Sequence, residues 1–128
     1  PVRWAGSAGM SEIILPWPPK ELSPNARTHW RRAAPVKASY RDACYILTKQ
    51  ARIAIDWDGD IHCWIDFYPP DRRHRDDDNM IGAFKAGRDG MAEALGVNDK
   101  RFRIHPYVKE QIGGMVKIRF TRGPEAVA

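Results

Sequence analysis

Residues 61–79, IHCWIDFYPPDRRHRDDDN, join a clear strand signal to the densest charge cluster in the chain. Ile61, Cys63, Ile65 and Phe67 alternate with His62, Trp64, Asp66 and Tyr68. That is the period of a strand with one face on a core. Pro69-Pro70 ends the strand, because proline offers no N–H to the ladder. Three bases and a histidine then run into Asp76-Asp77-Asp78-Asn79. Carboxylates this close repel one another unless a base or a divalent metal lies between them. Asp and Asn oxygens are hard ligands suited to Mg²⁺, which takes one or two carboxylates and keeps other positions for water and phosphate. Asp76 and Asp78 are two apart, so in extended chain they point the same way and can share one ion. Arg72, Arg73 and Arg75 beside them suit a phosphate. The competing reading is a solvated charged turn whose Asp77 or Asp78 caps the next helix.

Downstream, Met80, Phe84, Gly87, Met91 and Leu95 recur at helical spacing and predict one helix from about Asn79 to a C-cap at Gly96. Gly82, Gly87 and Gly90 each weaken that helix by up to about 1 kcal/mol, or admit a close backbone neighbour. With Phe84 and Met91 they make it a candidate contact surface for a second chain. Phe102, Ile104, Pro106 and Val108 predict a strand that its proline puts at a sheet edge. Gly113-Gly114 turns the chain into a last strand at Val116, Ile118 and Phe120, which predicts a hairpin.

Upstream, Ile13-Ile14-Leu15 reads as a first strand stopped by Pro16-Trp17-Pro18-Pro19. Residues 20–34 read as a loop in which Arg27, Arg31 and Arg32 are interleaved with His29 and Trp30. Bases mixed with aromatics suit backbone contact and stacking on nucleic acid; an ordinary surface loop with a packed tryptophan is the alternative. Pro35 suits the first turn of a helix. Val36, Tyr40, Ala43, Cys44, Leu47 and Ala51 form its apolar stripe, opposite Lys37, Arg41, Lys49 and Arg52. The expected order is β-α-β-α-β-β, an α/β (α+β) domain with a mixed sheet of about four strands and two helices. Its expected bounds are residues 12–122, with 1–11 a flexible arm or cloning remnant and 123–128 a frayed tail.

A chain of 128 residues, 43% hydrophobic, can bury one core. Lys and Arg exceed Asp and Glu by five, which points to a polyanion partner, most simply nucleic acid. Cys44 and Cys63 fall on apolar stripes and read as buried thiols, not a disulfide. Their spacing with the histidines matches no structural zinc pattern. No serine sits in a nucleophile elbow and no Gly-rich phosphate loop is present. No apolar run approaches the roughly 20 residues that span a bilayer, and no secretory leader is visible.

Leu15-Pro16-Trp17-Pro18-Pro19, Tyr40-Arg41-Asp42 and above all Pro70 to Asn79 resemble the RusA family of Holliday junction resolvases, over roughly Glu12 to Thr121. The resemblance implies a RusA-like fold and a small homodimeric, Mg²⁺-dependent endodeoxyribonuclease, with Mn²⁺ as a substitute ion. It implies binding of four-way DNA junctions, or other branched DNA, and paired symmetric nicks in recombination and repair. It also implies a cytoplasmic setting in a bacterial or phage-infected cell. Carried over by position, the metal-binding carboxylates are Asp76, Asp78 and Asp99. The family often has two adjacent acids in the turn holding Asp99; here the first is Asn98. A lysine common three residues after the motif Asn is replaced by Gly82, and Lys85, one turn on, could take its task. Arg72, Arg73, Arg75, Arg27, Arg31, Arg32, Lys37 and Arg41 would hold DNA. A straight helix over 79–95 would be about 25 Å long. It would keep Asp78 and Asp99 of one chain apart, so the helix breaks at Gly87 or Gly90, or Asp99 serves a partner's site. A junction- or duplex-binding module without catalysis is the alternative. An RNA-binding or purely structural domain would leave the acidic triplet unexplained.

Overall fold

In the computed structural model, residues 12–124 are described, and the expectations for residues 1–11 and 125–128 lie outside them. The strands are β1 (Glu12–Pro16), β2 (Ile61–Tyr68), β3 (Phe102–Val108) and β4 (Met115–Thr121). The helices are α1 (Trp30–Gln50), α2 (Asp77–Ala83) and α3 (Lys85–Leu95), with short 3₁₀ turns at Lys20–Leu22 and Asp99–Arg101. The fold is the expected small α+β domain with a mixed four-stranded sheet, ordered β1-β4-β2-β3. β4 runs antiparallel to both β1 and β2, whereas β3 runs parallel to β2.

Ile61, Cys63, Ile65 and Phe67 of β2 are buried against the helices as anticipated, but His62 and Trp64 on its other face are buried as well. Ile13, Leu15, Val116, Ile118 and Phe120 extend this layer across β1 and β4, and Tyr40, Cys44, Met80, Phe84 and Met91 close it from above. Burial pushes the Cys44 thiol up to about 11 and the Cys63 thiol up to about 12, and both are free. The Tyr40 hydroxyl donates to the Pro16 carbonyl at 2.7 Å, tying α1 to the end of β1.

Four expectations need correction. The last two strands do not form a hairpin. β4 sits on one side of β2 and β3 on the other, with Pro106 at the free edge where its missing N–H costs no ladder bond. Residues 109–114 cross the end of β2, where the Pro69 carbonyl accepts from the amides of Gly113 (2.9 Å) and Gly114 (3.2 Å). The first helix begins at Trp30, not Pro35, because the His29 side chain accepts from the Arg31 amide at 3.2 Å and caps it there. Pro35 therefore lies inside the helix. The second helix is split, and the break falls at Phe84, not at Gly87 or Gly90. Phe84 turns its ring onto Phe67 (5.9 Å) and Tyr40 (6.4 Å).

The two glycines instead let α3 lie against α1. A Cβ on Gly90 would stand 2.4 Å from the Arg41 carbonyl oxygen, and one on Gly87 would stand 2.6 Å from the Phe84 ring. Phe84 and Met91 are 2% and 0% exposed. That face belongs to the core and does not offer a surface to a second chain.

Candidate functional site

β1 and β2 end on the same side of the sheet, since Pro16 and Tyr68 both align with Met115 of β4. The proline motif and the charged loop therefore emerge side by side. Trp17 packs edge-on against Phe67, with ring centroids 6.1 Å apart. The Arg75 guanidinium lies 5.3 Å over the Trp17 ring. The same guanidinium pairs with the Asp71 carboxylate at 2.9 Å and donates to the Arg73 carbonyl at 2.9 Å. Its side chain is 16% exposed, so Arg75 pins the loop and is not a free DNA contact. The Arg73 amide donates to Asp71 Oδ1 at 2.9 Å, while its guanidinium, 83% exposed, reaches Oδ2 at 3.3 Å. The Arg75 hydrogen bond, then the Arg73 amide, hold the Asp71 carboxyl far below the usual carboxylate range. Arg72 and His74 are exposed and make no hydrogen bond or ion pair among the described residues.

Asp76 is the residue that caps α2. Its Oδ1 accepts from the Asn79 amide at 2.9 Å and its Oδ2 from Asn79 Nδ2 at 3.2 Å. Asp77 and Asp78 occupy the first helical turn, exposed, with no hydrogen bond or ion pair among the described residues. The extended geometry expected for Asp76 to Asp78 is thus corrected: the helix starts between them, because the cap satisfies an amide that would otherwise lack a partner.

Asp99 lies elsewhere. It opens the 3₁₀ turn just before β3, where Asn98 Oδ1 accepts from the Lys100 amide at 2.9 Å. Arg88 of α3 donates to the Asp99 carbonyl at 3.3 Å. Phe102 aligns with Ile61, the start of β2, whereas the charged loop leaves the far end and Phe84 packs on Phe67. Six residue steps from Ile61 to Phe67 cover roughly 20 Å at ~3.3 Å each. The break at Phe84 therefore does not return Asp99 to Asp76 and Asp78 within one chain. Among the described residues, no three His, Cys, Asp or Glu side chains gather where they could hold a metal.

Gly82 has a steric reason: a Cβ there would stand 2.6 Å from Pro24 Cγ, so a lysine would displace the Pro24 loop. Lys85 opens α3 and pairs forward with Asp89 at 3.0 Å instead of reaching back toward the loop. Arg27, Arg31, Arg32 and Lys37 are exposed at the start of α1, beside Trp30, which is 67% exposed. Arg41 is engaged by Glu93 and, at 3.9 Å, by Asp42.

A cleft of about 320 Å³ separates the proline motif from the charged loop. Lys20, Arg73, Arg75 and Asn79 line it, over Met80 and Ala83. Sequence reasoning missed Lys20 here, because the chain reaches the cleft only by turning at Pro19. It also missed Asn79 as the partner of Asp76, although the Asp-x-x-Asn spacing places the Asn amide where a capping Asp side chain accepts. On the opposite face of the sheet, which no described helix covers, Trp64 stacks on His105 at 4.0 Å and His62 Nδ1 meets His105 Nε2 at 2.8 Å. Burial and the neighbouring His62 lower the His105 pKa. No described helix is long and apolar enough to cross a membrane.

No family model matches the chain. It is 41% identical to an uncharacterized protein of Xylella fastidiosa over 122 residues, covering 91% of this chain and 80% of that relative. At that identity and coverage, the chain belongs to the same family as the Xylella protein.

Proposed function

We propose that this chain is a RusA-like, Mg²⁺-dependent endodeoxyribonuclease that acts as a homodimer on four-way DNA junctions. One observation carries the reading. Two of the three stretches that resemble the RusA family, the proline motif and the charged loop, are more than fifty positions apart in the chain, yet they meet across one cleft, where Arg75 covers Trp17.

The donor chemistry fits a hard cation. A carboxylate oxygen has about two lone pairs; Asp76 uses one on each oxygen, and Asp77 and Asp78 have no protein partner. Asp76 and Asp78 would hold the ion, with Asp99 supplied by a second copy of the chain. Once bound, Mg²⁺ or Mn²⁺ would polarise the phosphate and lower the pKa of a bound water. Arg72 and Arg73 would grip the DNA backbone, with Arg27, Arg31, Arg32 and Lys37 extending a salt-sensitive contact. Lys85 sits in an exposed ion pair with Asp89, an interaction of about 1 kcal/mol or less. It can exchange that partner for a phosphate and offset charge building there.

A second reading, a junction-binding module without catalysis, is favoured by Gly82 packed on Pro24 and by Lys85 turned toward Asp89. A labelled synthetic junction, beside linear duplex of the same sequence, separates the two. Junction nicking that requires Mg²⁺ and is lost in Asp78→Asn supports the nuclease. Tight binding with no cleavage in Mg²⁺ or Mn²⁺ supports the module.

A further inference from the structure

A second cleft, of about 380 Å³, adjoins the one beside Trp17 and shares Lys20, Ser23, Asn25 and Arg73 with it. Arg32 of α1 lines its outer end. The two form one continuous depression from the start of α1 to the cap of α2. Four cations line it, Lys20, Arg32, Arg73 and Arg75, beside Glu21; Asp71 offsets part of that charge, paired with Arg75 at 2.9 Å and with the exposed Arg73 at 3.3 Å. Its floor is partly apolar, with Trp17, Met80 and Ala83, and the amides of Asn25 and Asn79 supply hydrogen-bonding groups. Each cleft is at the small end of the volume range of ligand sites. A duplex, with its bases stacked inside, would offer such a groove phosphates, sugars and base edges but no base faces. Cations together with apolar and amide groups fit a strand whose bases are exposed.

We infer that this depression is a track for a single strand of nucleic acid, leading from the start of α1 to the carboxylates of α2. The inference deepens the nuclease reading by naming the substrate part the site takes: an unpaired strand at a branch, not intact duplex alone. Lys20 and Arg73 stand where the clefts join and touch the strand's phosphates.

Fluorescence anisotropy with a labelled oligo-dT tests this, in chelator so that no cleavage enters, and with a labelled four-way junction in parallel. The paired substitution Lys20→Glu with Arg73→Glu alters two surface side chains and leaves the core untouched; equal melting temperatures confirm the fold. It should weaken oligo-dT binding at least tenfold. Arg52→Glu, an equal charge reversal per residue beyond the far end of α1, should weaken it less than threefold. Wild-type failure on oligo-dT with intact junction binding would overturn the track and leave the nuclease reading standing. Equal losses from Arg52→Glu and the paired variant would also overturn it, reducing the effect to overall charge. Binding of neither probe would overturn both readings.

Discussion

At the residue scale, Asp76 caps α2 and, in the proposed site, would also bind the metal, and substitutions can separate the two. As the α2 cap it stabilises the fold, and replacing a cap by Ala costs about 1 kcal/mol. Asn caps as well as Asp but lacks the charge a metal needs. Asp76→Asn should therefore melt within about 0.5 kcal/mol of wild type and lose Mg²⁺-dependent nicking, whereas Asp76→Ala loses both; chemical denaturation beside the junction assay checks this. Full nicking by Asp76→Asn would remove Asp76 from the metal site. Asp71 gives a pH test. Arg75 and Arg73 lower its carboxyl pKa in the folded chain, so near pH 4 the unfolded state binds more protons and stability rises with pH. The contribution is fully present above the ordinary carboxylate value of about 4 and is lost as pH falls below it. The melting-temperature gap between wild type and Asp71→Asn should be largest at pH 6 and shrink toward pH 3. A gap independent of pH would contradict the pairing. Residue types and their crowding were legible in the sequence. Which carboxylate caps was not, because Asp76, Asp77 and Asp78 are equally good caps and only the Asn79 contact selects among them.

At the element scale, Gly90 sets intrinsic propensity against packing. Alanine would favour the helix by about 1 kcal/mol, but its Cβ would meet the Arg41 carbonyl oxygen at 2.4 Å. Overpacking of that kind costs roughly 1–3 kcal/mol, so Gly90→Ala should lower stability in urea titration, with the opposite sign to propensity. An increase would mean that α3 is not held so close to α1. Period-2 runs announced β2, β3 and β4, and a short apolar run stopped by proline announced β1. Pairing was not legible: Val116, Ile118 and Phe120 satisfy the core as well between β1 and β2 as in a hairpin with β3. The break at Phe84 was hidden for a similar reason. Its spacing to Met80 and Met91 is helical, and only the backbone at Phe84, whose ring packs on Phe67 and Tyr40, marks the interruption.

For the whole molecule, the separation of Asp99 from α2 is decisive. Asp76 and Asp78 follow one end of β2 and Asp99 precedes the strand paired to its other end, so a site using all three needs two chains. The length of the helical run between Asp78 and Asp99 already announced this separation in the sequence; the register of β3 against β2, which fixes the end at which Asp99 lies, was not legible there. The direct measurement mixes Asp78→Asn with Asp99→Asn chains under conditions in which subunit exchange is shown by a size or affinity tag. Nicking of a labelled four-way junction is then followed in Mg²⁺, with wild type as control. Each variant alone should be inactive. The mixed dimers should regain single-strand nicking, because one of their two sites receives both wild-type aspartates. A mixture as inactive as its components, despite exchange and an active wild type, would contradict a site shared between chains, and an inactive wild type would contradict hydrolysis itself.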